Sequence, residues 1–269
     1  MKIIVLVKQV PDMEKVRFDR EKGRIDRSSA GTEINPFDLN ALETALQIGE
    51  KTNAHITALS MGPPQAEDAL RESIARGAHE GILLTDARFG GSDVKATSSI
   101  LAAAIKKIGE YDLIIAGIQT VDGDTGQVGP ETAGHLGIPH ISNAERIVNC
   151  SEKSIEVVSS VWESLYLKRS TYPLLITVTK DVNVPRLPSF KNKMTARKAE
   201  IIKWSYEDLK NLLNEEKIGA KGSPTKVKRI EVPPVWKREG ILYKDSDEKA
   251  ISDILSLLKD SRIIKEAIE

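Results

Sequence analysis

Over its first half the chain alternates short, continuously apolar runs with stretches whose apolar residues recur at helical spacing. Ile3 to Val7 is apolar throughout and rich in β-branched residues, the mark of a strand buried on both faces, and Val10-Pro11-Asp12 ends it. Phe18 to Ser29 is charged and holds Gly23, which predicts a loop or small hairpin. Asn35-Pro36-Phe37-Asp38 predicts a helix start, with Asn35 at the N-cap and Pro36 in the first helical position. Leu39, Leu42, Ala45, Leu46 and Gly49 carry that helix onward along one face. His55 to Ser60 is a second buried strand, and Met61-Gly62-Pro63-Pro64 turns the chain into a helix with Ala66, Ala69, Leu70, Ile74 and Ala75 on one side. Gly81 to Thr85, Asp93 to Gly109 and Asp112 to Gly117 read as the third strand, third helix and fourth strand. Four such alternations predict an α/β fold, a doubly wound and mostly parallel sheet. Right-handed crossovers would gather the loops that start at Lys8, Met61, Thr85 and Gly117 along one edge, where open α/β sheets take their ligands.

Beyond Pro139 the pattern changes. Glu156 to Lys168 alternates weakly through Val157, Val158, Val161, Trp162, Leu165 and Leu167, predicting hairpin strands. Leu174 to Thr179 reads as a strong buried strand. Asn183 to Lys191 holds Pro185 and Pro188 and cannot be a regular helix. From Ser205 the chain is polar and broken by Pro224, Pro233 and Pro234, and Gly219 to Pro224 reads as a flexible turn. Asp247 to Lys259 predicts a short amphipathic helix with Ile251, Ile254, Leu255 and Leu258 on one face. The division expected is an α/β domain over 1–204 and a C-terminal extension over 205–269, too polar for a core of its own.

Composition narrows the function classes. Lys+Arg and Asp+Glu are both 39 in 269 residues, so no global field draws the chain to nucleic acid or to an anionic membrane. A single cysteine, Cys150, excludes an internal disulfide and a multi-cysteine metal site, and suits a reducing cytoplasm. His55, His79, His135 and His140 are scattered, which argues against zinc. The apolar run at the N-terminus is too short for a signal-peptide core or a spanning helix.

The densest chemistry lies in Gly117 to Ala133, between the fourth strand and the next helix. Gly123, Gly126 and Gly129 permit positive φ and close approach of backbone to a bulky ligand. Free N–H groups at the start of the following helix favour phosphate oxygens. Asp122 and Asp124 would repel a phosphate, and fit better as acceptors for ribose hydroxyls or as groups that order the loop. The glycine spacing matches neither a dinucleotide fingerprint nor a P-loop, so the pattern leaves two readings, a nucleotide site or a Gly-rich surface turn.

Five segments in order resemble one family along most of the chain. They are Val7-Lys8-Gln9-Val10-Pro11, Asn35-Pro36-Phe37-Asp38, Met61-Gly62-Pro63, the loop from Asp122 to Ala133, and Val184-Pro185-Arg186. The family is that of the β (small) subunits of electron transfer flavoproteins. The resemblance implies a Rossmann-like, adenine-nucleotide-binding fold. It also implies a heterodimer with a larger α subunit that carries its own FAD, the C-terminal extension packing on that subunit. Ordinary members read like D-x-x-x-N-Q-T-G-Q in the loop and hold a structural AMP. Electron-bifurcating members read close to D-G-D-T-A-Q-V-G-P and hold a second FAD. The present Asp122-Gly123-Asp124-Thr125-Gly126-Gln127-Val128-Gly129-Pro130 is similar to the bifurcating form, with Gly126 in place of alanine. A further departure is Trp162 to Lys168, which lacks the glycine usual there.

The resemblance also implies roles. Leu6, Val7, Lys8 and Met61 at strand ends, Asn35, Pro36, Phe37 and Asp38, and the loop through Thr132 and Ala133 would surround the cofactor. NADH would be the hydride donor, and ferredoxin and a dehydrogenase of acyl-CoA or lactate type the electron acceptors. Pro185, Arg186, Phe190, Lys191 and Met194 fall in the loop that anchors the dehydrogenase, with Phe190 in the anchor position. An ordinary AMP-holding subunit and a stand-alone nucleotide-binding module are the competing expectations.

Overall fold

Strand β1 (Lys2–Leu6) is followed by β2 (Gln9–Pro11), β3 (Arg17–Asp19), β4 (Arg24–Asp26) and β5 (Thr32–Ile34), where β2 pairs with β5 and β3 with β4, both antiparallel. Helix α1 (Pro36–Thr52), β6 (His55–Met61), α2 (Glu67–Arg76), β7 (Glu80–Leu84), α3 (Val94–Ile108), β8 (Leu113–Gly117) and α4 (Val128–Leu136) then alternate as the apolar pattern predicts. Next come β9 (His140–Cys150), β10 (Ser154–Val161), β11 (Ser164–Thr171), β12 (Leu174–Val178), α5 (Phe190–Ala196), β13 (Ile202–Trp204), α6 (Tyr206–Leu209) and α7 (Gly219–Gly222). The structure, a computed structural model, describes residues 1–12, 17–19, 24–26, 31–226 and 248–261. It falls into two units, Met1–Ile230 and Glu231–Glu269, and α8 (Glu248–Asp260) is the described part of the second. Pro233 and Pro234 lie outside the described residues.

The main sheet has nine strands in the order β11-β10-β9-β12-β8-β1-β6-β7-β13. Every pairing from β9 to β13 is parallel, and only β9-β10 and β10-β11 are antiparallel. The chain steps outward from β1 to β6 and β7, then crosses to β8 on the other side of β1, so the order reverses between β1 and β8. Strand residues alternate between two cores. Ile3, Val5, Leu113, Ile115, Leu174 and Ile176 face Leu42, Leu46 and Leu70 of α1 and α2, while Ile4, Ile114 and Leu175 face Ile100, Ile105 and Ala133 of α3 and α4. Strands covered on both faces explain the continuous apolar runs.

Two sequence expectations need revision. The first unit does not stop at Trp204: Leu209, Leu213 and Ile218 are buried in the core beside α3, and the compact part reaches Ile230. Their apolar residues are too sparse to show periodicity, yet each fills a gap against a helix already in place. Gly219 to Pro224 is likewise no free turn. Gly219 holds φ 61, and a Cβ there would stand 2.1 Å from the Arg88 carbonyl oxygen, so two backbones meet where no side chain fits. At the far edge, β10 and β11 are joined with Trp162 at φ 57, so this chain accepts a left-handed residue without the flexibility of glycine.

Helix α4 reaches the sheet through Gly129. A Cβ built there would lie 2.6 Å from Thr177 Cγ2 on β12. Gly129→Ala is expected to destabilise the fold by about 1–3 kcal/mol through overpacking. Thr177→Ser, which deletes the opposing methyl, should recover most of that loss in the double variant. Denaturant unfolding of the four proteins in the cycle measures it; equal losses with and without the Thr177 methyl would refute the contact as the cause.

Candidate functional site

The reversal of strand order opens a cavity of about 430 Å³ beyond the carboxyl ends of β1, β6 and β8. Its floor is apolar, from Leu6, Leu59, Leu101 and Ala116. One wall is the Gly-rich loop, through Gly123, Thr125, Gly126, Gln127, Val128 and Gly129. The lining also includes Ser92, Asp93, Val94 and Thr97 at the start of α3, together with Thr225. The starts of α3 and α4 both border the space, so the positive ends of two helix dipoles meet there. Asp93 caps α3, its Oδ1 accepting from the Ala96 N–H at 3.1 Å. No side chain caps α4, which leaves the N–H groups of Val128 and Gly129 at the cavity edge; Pro130 has none to offer.

Asp38 organises the switch point. Its Oδ2 accepts from the Lys8 N–H at 2.9 Å and its Oδ1 from the Gly117 N–H at 3.2 Å. Pairing of β1 with β8 ends at Val5 and Ile115, so the carboxyl group bridges the two strands beyond their last ladder residues. Gly117 is required for this approach, because a Cβ there would sit 2.5 Å from Asp38 Oδ1. Asn35 is fully buried and pins the loop from below, donating to Gln119 O at 2.8 Å and accepting from the Val121 N–H at 3.1 Å. Lys8 Nζ meets both oxygens of Asp122 at 2.7 and 2.8 Å. Burial pushes the Asp122 carboxyl up, but the hydrogen bond and charge of Lys8 outweigh it and hold the group below its ordinary value.

The expected site residues divide into those that line the cavity and those that hold it. Leu6, Val7, Lys8, Asp38, Met61, Gly123, Thr125, Gly126, Gln127, Val128 and Gly129 line it. Asn35, Pro36, Phe37, Asp122, Asp124, Pro130, Thr132 and Ala133 do not. Pro36 and Phe37 form the first turn of α1, with the Phe37 Cβ where a Gly117 side chain would have to go. Asn35 occupies the N-cap position but its side chain does not cap the helix, being taken up by the loop. Asp122 orders the loop through Lys8, and Asp124 makes the turn at φ 54. Pro130 lies within the first turn of α4; Thr132 Oγ1 bonds back to Val128 O and Ala133 is core. The three glycines serve different ends. Gly126, at φ 64, has the left-handed backbone expected of the loop, whereas Gly129 is small toward the sheet and not toward the cavity. The α3 wall and Thr225 escaped the sequence reading. The only local signal was Ser92-Asp93 ahead of an apolar helix, a plain capping pattern, and nothing in sequence joins it to Thr225.

The segment expected to meet a partner lies on a braced base. Arg186 is ion-paired within the chain: its guanidinium bonds Glu43 at 2.8 Å and Glu50 at 2.5 Å. Burial raises the Glu43 carboxyl, but the Arg186 hydrogen bonds outweigh it and hold the group low. Arg76 bonds the Arg186 carbonyl at 2.5 Å, and Arg71 collects the carbonyls of Ala196, Arg197 and Ala199 at 2.8–3.0 Å. Above this base Phe190 is 80% exposed, with Val184, Leu187 and Met194 also open to solvent and Lys191 exposed beside them. Pro185 precedes Arg186 in the extended approach to α5.

A mostly parallel sheet covered by helices on both sides, with a cavity at its switch point, defines a Rossmann-like α/β protein. Residues 22–209 match the electron transfer flavoprotein domain. The chain is 42% identical over 265 residues to electron transfer flavoprotein subunit beta of Clostridium acetobutylicum, spanning 98% of this chain and 100% of that one. It is 38% identical over 265 residues to the caffeyl-CoA reductase-Etf complex subunit CarD of Acetobacterium woodii, with 98% and 100% covered. Identity is also 38% over 270 residues to the acryloyl-CoA reductase electron transfer subunit gamma of Anaerotignum propionicum, again with 98% and 100% covered. The chain belongs to the electron transfer flavoprotein β-subunit family. Among the described residues no helix is long and apolar enough to cross a membrane.

Burial of Asp38 raises its carboxyl to about 7, against the hydrogen bonds from Asn35 and from the Lys8 and Gly117 N–H groups and against the Lys8 charge. A raised value means that the folded chain keeps a proton the unfolded chain releases. The associated stability is therefore complete below about 4 and is lost as the pH rises toward the folded value, on the order of 1 kcal/mol per pH unit. Asp38→Asn removes that dependence. Between about pH 4.5 and 7.5 the unfolding free energy of the wild type should fall relative to the variant, as read from denaturant midpoints. A constant difference across that range would show that Asp38 stays ionised when folded.

Proposed function

We propose that the cavity holds FAD and that the chain acts as the β subunit of an electron-bifurcating electron transfer flavoprotein, with NADH as the reductant. The two electron acceptors are ferredoxin and, through the FAD of the α subunit, a flavin-dependent dehydrogenase. The observation that carries this reading is that the Asp122 to Pro130 loop, with its D-G-D-T-G-Q-V-G-P spelling, forms one wall of the switch-point cavity. The residues present fit such a group. Lys8 is the one cation lining the cavity among the described residues, and the uncapped N–H groups of Val128 and Gly129 face the same rim, so phosphate oxygens have donors. Gly126 keeps the loop turned without a side chain, and the apolar floor from Leu6 to Ala116 excludes water from a planar ring system.

A bound flavin supplies hydride acceptance and one-electron release. The chain adds no nucleophile or general base to that chemistry; its residues position and insulate. Lys8 is ion-paired with both oxygens of Asp122, so an arriving anion would compete with that carboxylate for the ammonium.

Three observations support assembly with other proteins. The relatives named for caffeyl-CoA and acryloyl-CoA reductases favour a partner of the acyl-CoA type over the lactate type. The exposed Phe190, Leu187, Val184 and Met194 form an apolar tip on a braced loop, suited to a dehydrogenase surface. Ile251, Ile254 and Leu255 are exposed on the expected apolar face of α8, which the α subunit would cover, and Leu258 of that face is half-buried. The unpaired thiol of Cys150 suits a cytoplasmic setting.

The purified complex should release two FAD and no stoichiometric AMP when denatured and resolved by chromatography; one FAD with one AMP would replace the bifurcating assignment by the ordinary one. Phe190→Ala should leave both flavins in place and NADH oxidation with an artificial acceptor near normal. Affinity for the isolated dehydrogenase should fall by about 2 kcal/mol, roughly thirtyfold. An unchanged affinity in titration would remove Phe190 from the docking surface.

A further inference from the structure

Part of the cavity lining joins the start of α3 to a residue far away in sequence. Thr225 lines the cavity, and both its N–H and its hydroxyl are held by Asp93 Oδ2, at 2.9 and 2.8 Å. Asp93 is engaged on every side: Oδ1 caps α3, and its own N–H donates to Ser223 Oγ at 2.8 Å. Ser223 Oγ in turn donates to Gly219 O at 2.7 Å, closing the α7 turn. The Gly219 N–H reaches Ser92 Oγ at 3.1 Å and the Ala220 N–H reaches Gly90 O at 2.9 Å. Gly91 admits this contact only because it lacks a side chain, since a Cβ there would sit 2.9 Å from that of Ala220. Burial raises the Asp93 carboxyl, but the bonds from Thr225 and Ala96 outweigh it, so the group stays ionised and the bonds are charge-assisted. Thr225 is thus clasped directly before an exposed Lys226.

We propose that Asp93 and Thr225 form a clasp whose closure is coupled to occupancy of the cavity. The inference rests on the reading that an adenine nucleotide fills the cavity. An occupant meets the Thr225 wall only when the clasp is closed, so it binds the closed state better and shifts the population toward it. Linkage is reciprocal: whatever holds Thr225 on Asp93 strengthens nucleotide binding by the same factor. Asp93 acts as a positioning residue in this scheme, through Thr225. In this scheme the cavity lining combines a loop fixed to the start of α1 by Asn35 with a clasp that opens when the site empties.

The test uses the purified complex of the full chain, with FAD as the probe. Trypsin cleavage after Lys226 is followed with the site loaded and after FAD has been dialysed away. Loaded complex should be cleaved at least about fivefold more slowly. Thr225→Val, which removes the hydroxyl donor at equal volume, should cleave fast in both conditions and bind FAD at least about fivefold more weakly. Thr225→Ser keeps the donor and should restore both properties, an outcome that a loss of packing would not produce. Equal cleavage of the wild type with and without FAD, or wild-type FAD affinity in Thr225→Val, overturns the coupling and leaves the cofactor assignment standing. A wild-type complex that binds no adenine nucleotide in this chain overturns both.

Discussion

The site depends on one carboxyl group placed where the sheet changes direction. Parallel strands on either side of a switch point diverge, and the backbone donors just past the last paired residues lose their partners. Here those donors are the N–H groups of Lys8 and Gly117, and Asp38 accepts from both while sitting in the first turn of α1. An unmade hydrogen bond in such a place costs about 1–3 kcal/mol, so one side chain that satisfies two donors fixes the strand ends and the helix together. The price is a desolvated carboxyl, whose affinity for its proton is raised accordingly. Lys8 on one strand and the Gly-rich loop after the other both hang from these ends.

Proximity of backbones sets the remaining geometry. Gly117 lets α1 come against β8, Gly129 lets α4 come against β12, and Gly91 and Gly219 let the α7 turn lie on the loop before α3. In each case the missing side chain serves an approach of protein to protein. The same small residues that a sequence pattern assigns to ligand contact are here shared between ligand space and internal packing, with Gly126 on the side of the cavity and Gly129 on the side of the sheet. The charged groups are shared in the same way. Asp122, Asp93 and Arg186 each have ion-pair or hydrogen-bond partners within the chain.

The order of apolar runs determined the α/β class and the parallel core, because strands buried on both faces must be continuously apolar and the helices covering them must be periodic. The loop from Asp122 to Pro130 and the family resemblance were equally local, being contiguous residues read in order. Only the tertiary structure decided which of those residues face the cavity. Asn35, Asp122 and Phe37 lie near it yet work as braces, since a helix or loop shows only one side to a pocket and side-chain direction follows from packing. Thr225 and Asp93 stand 132 residues apart and meet through hydrogen bonds that no periodicity encodes. The polar stretch after Ser205 looked like a tail because three apolar residues, Leu209, Leu213 and Ile218, are too few to form a core. They suffice to complete one, and that depends on a surface that exists only once α3 has packed on the sheet.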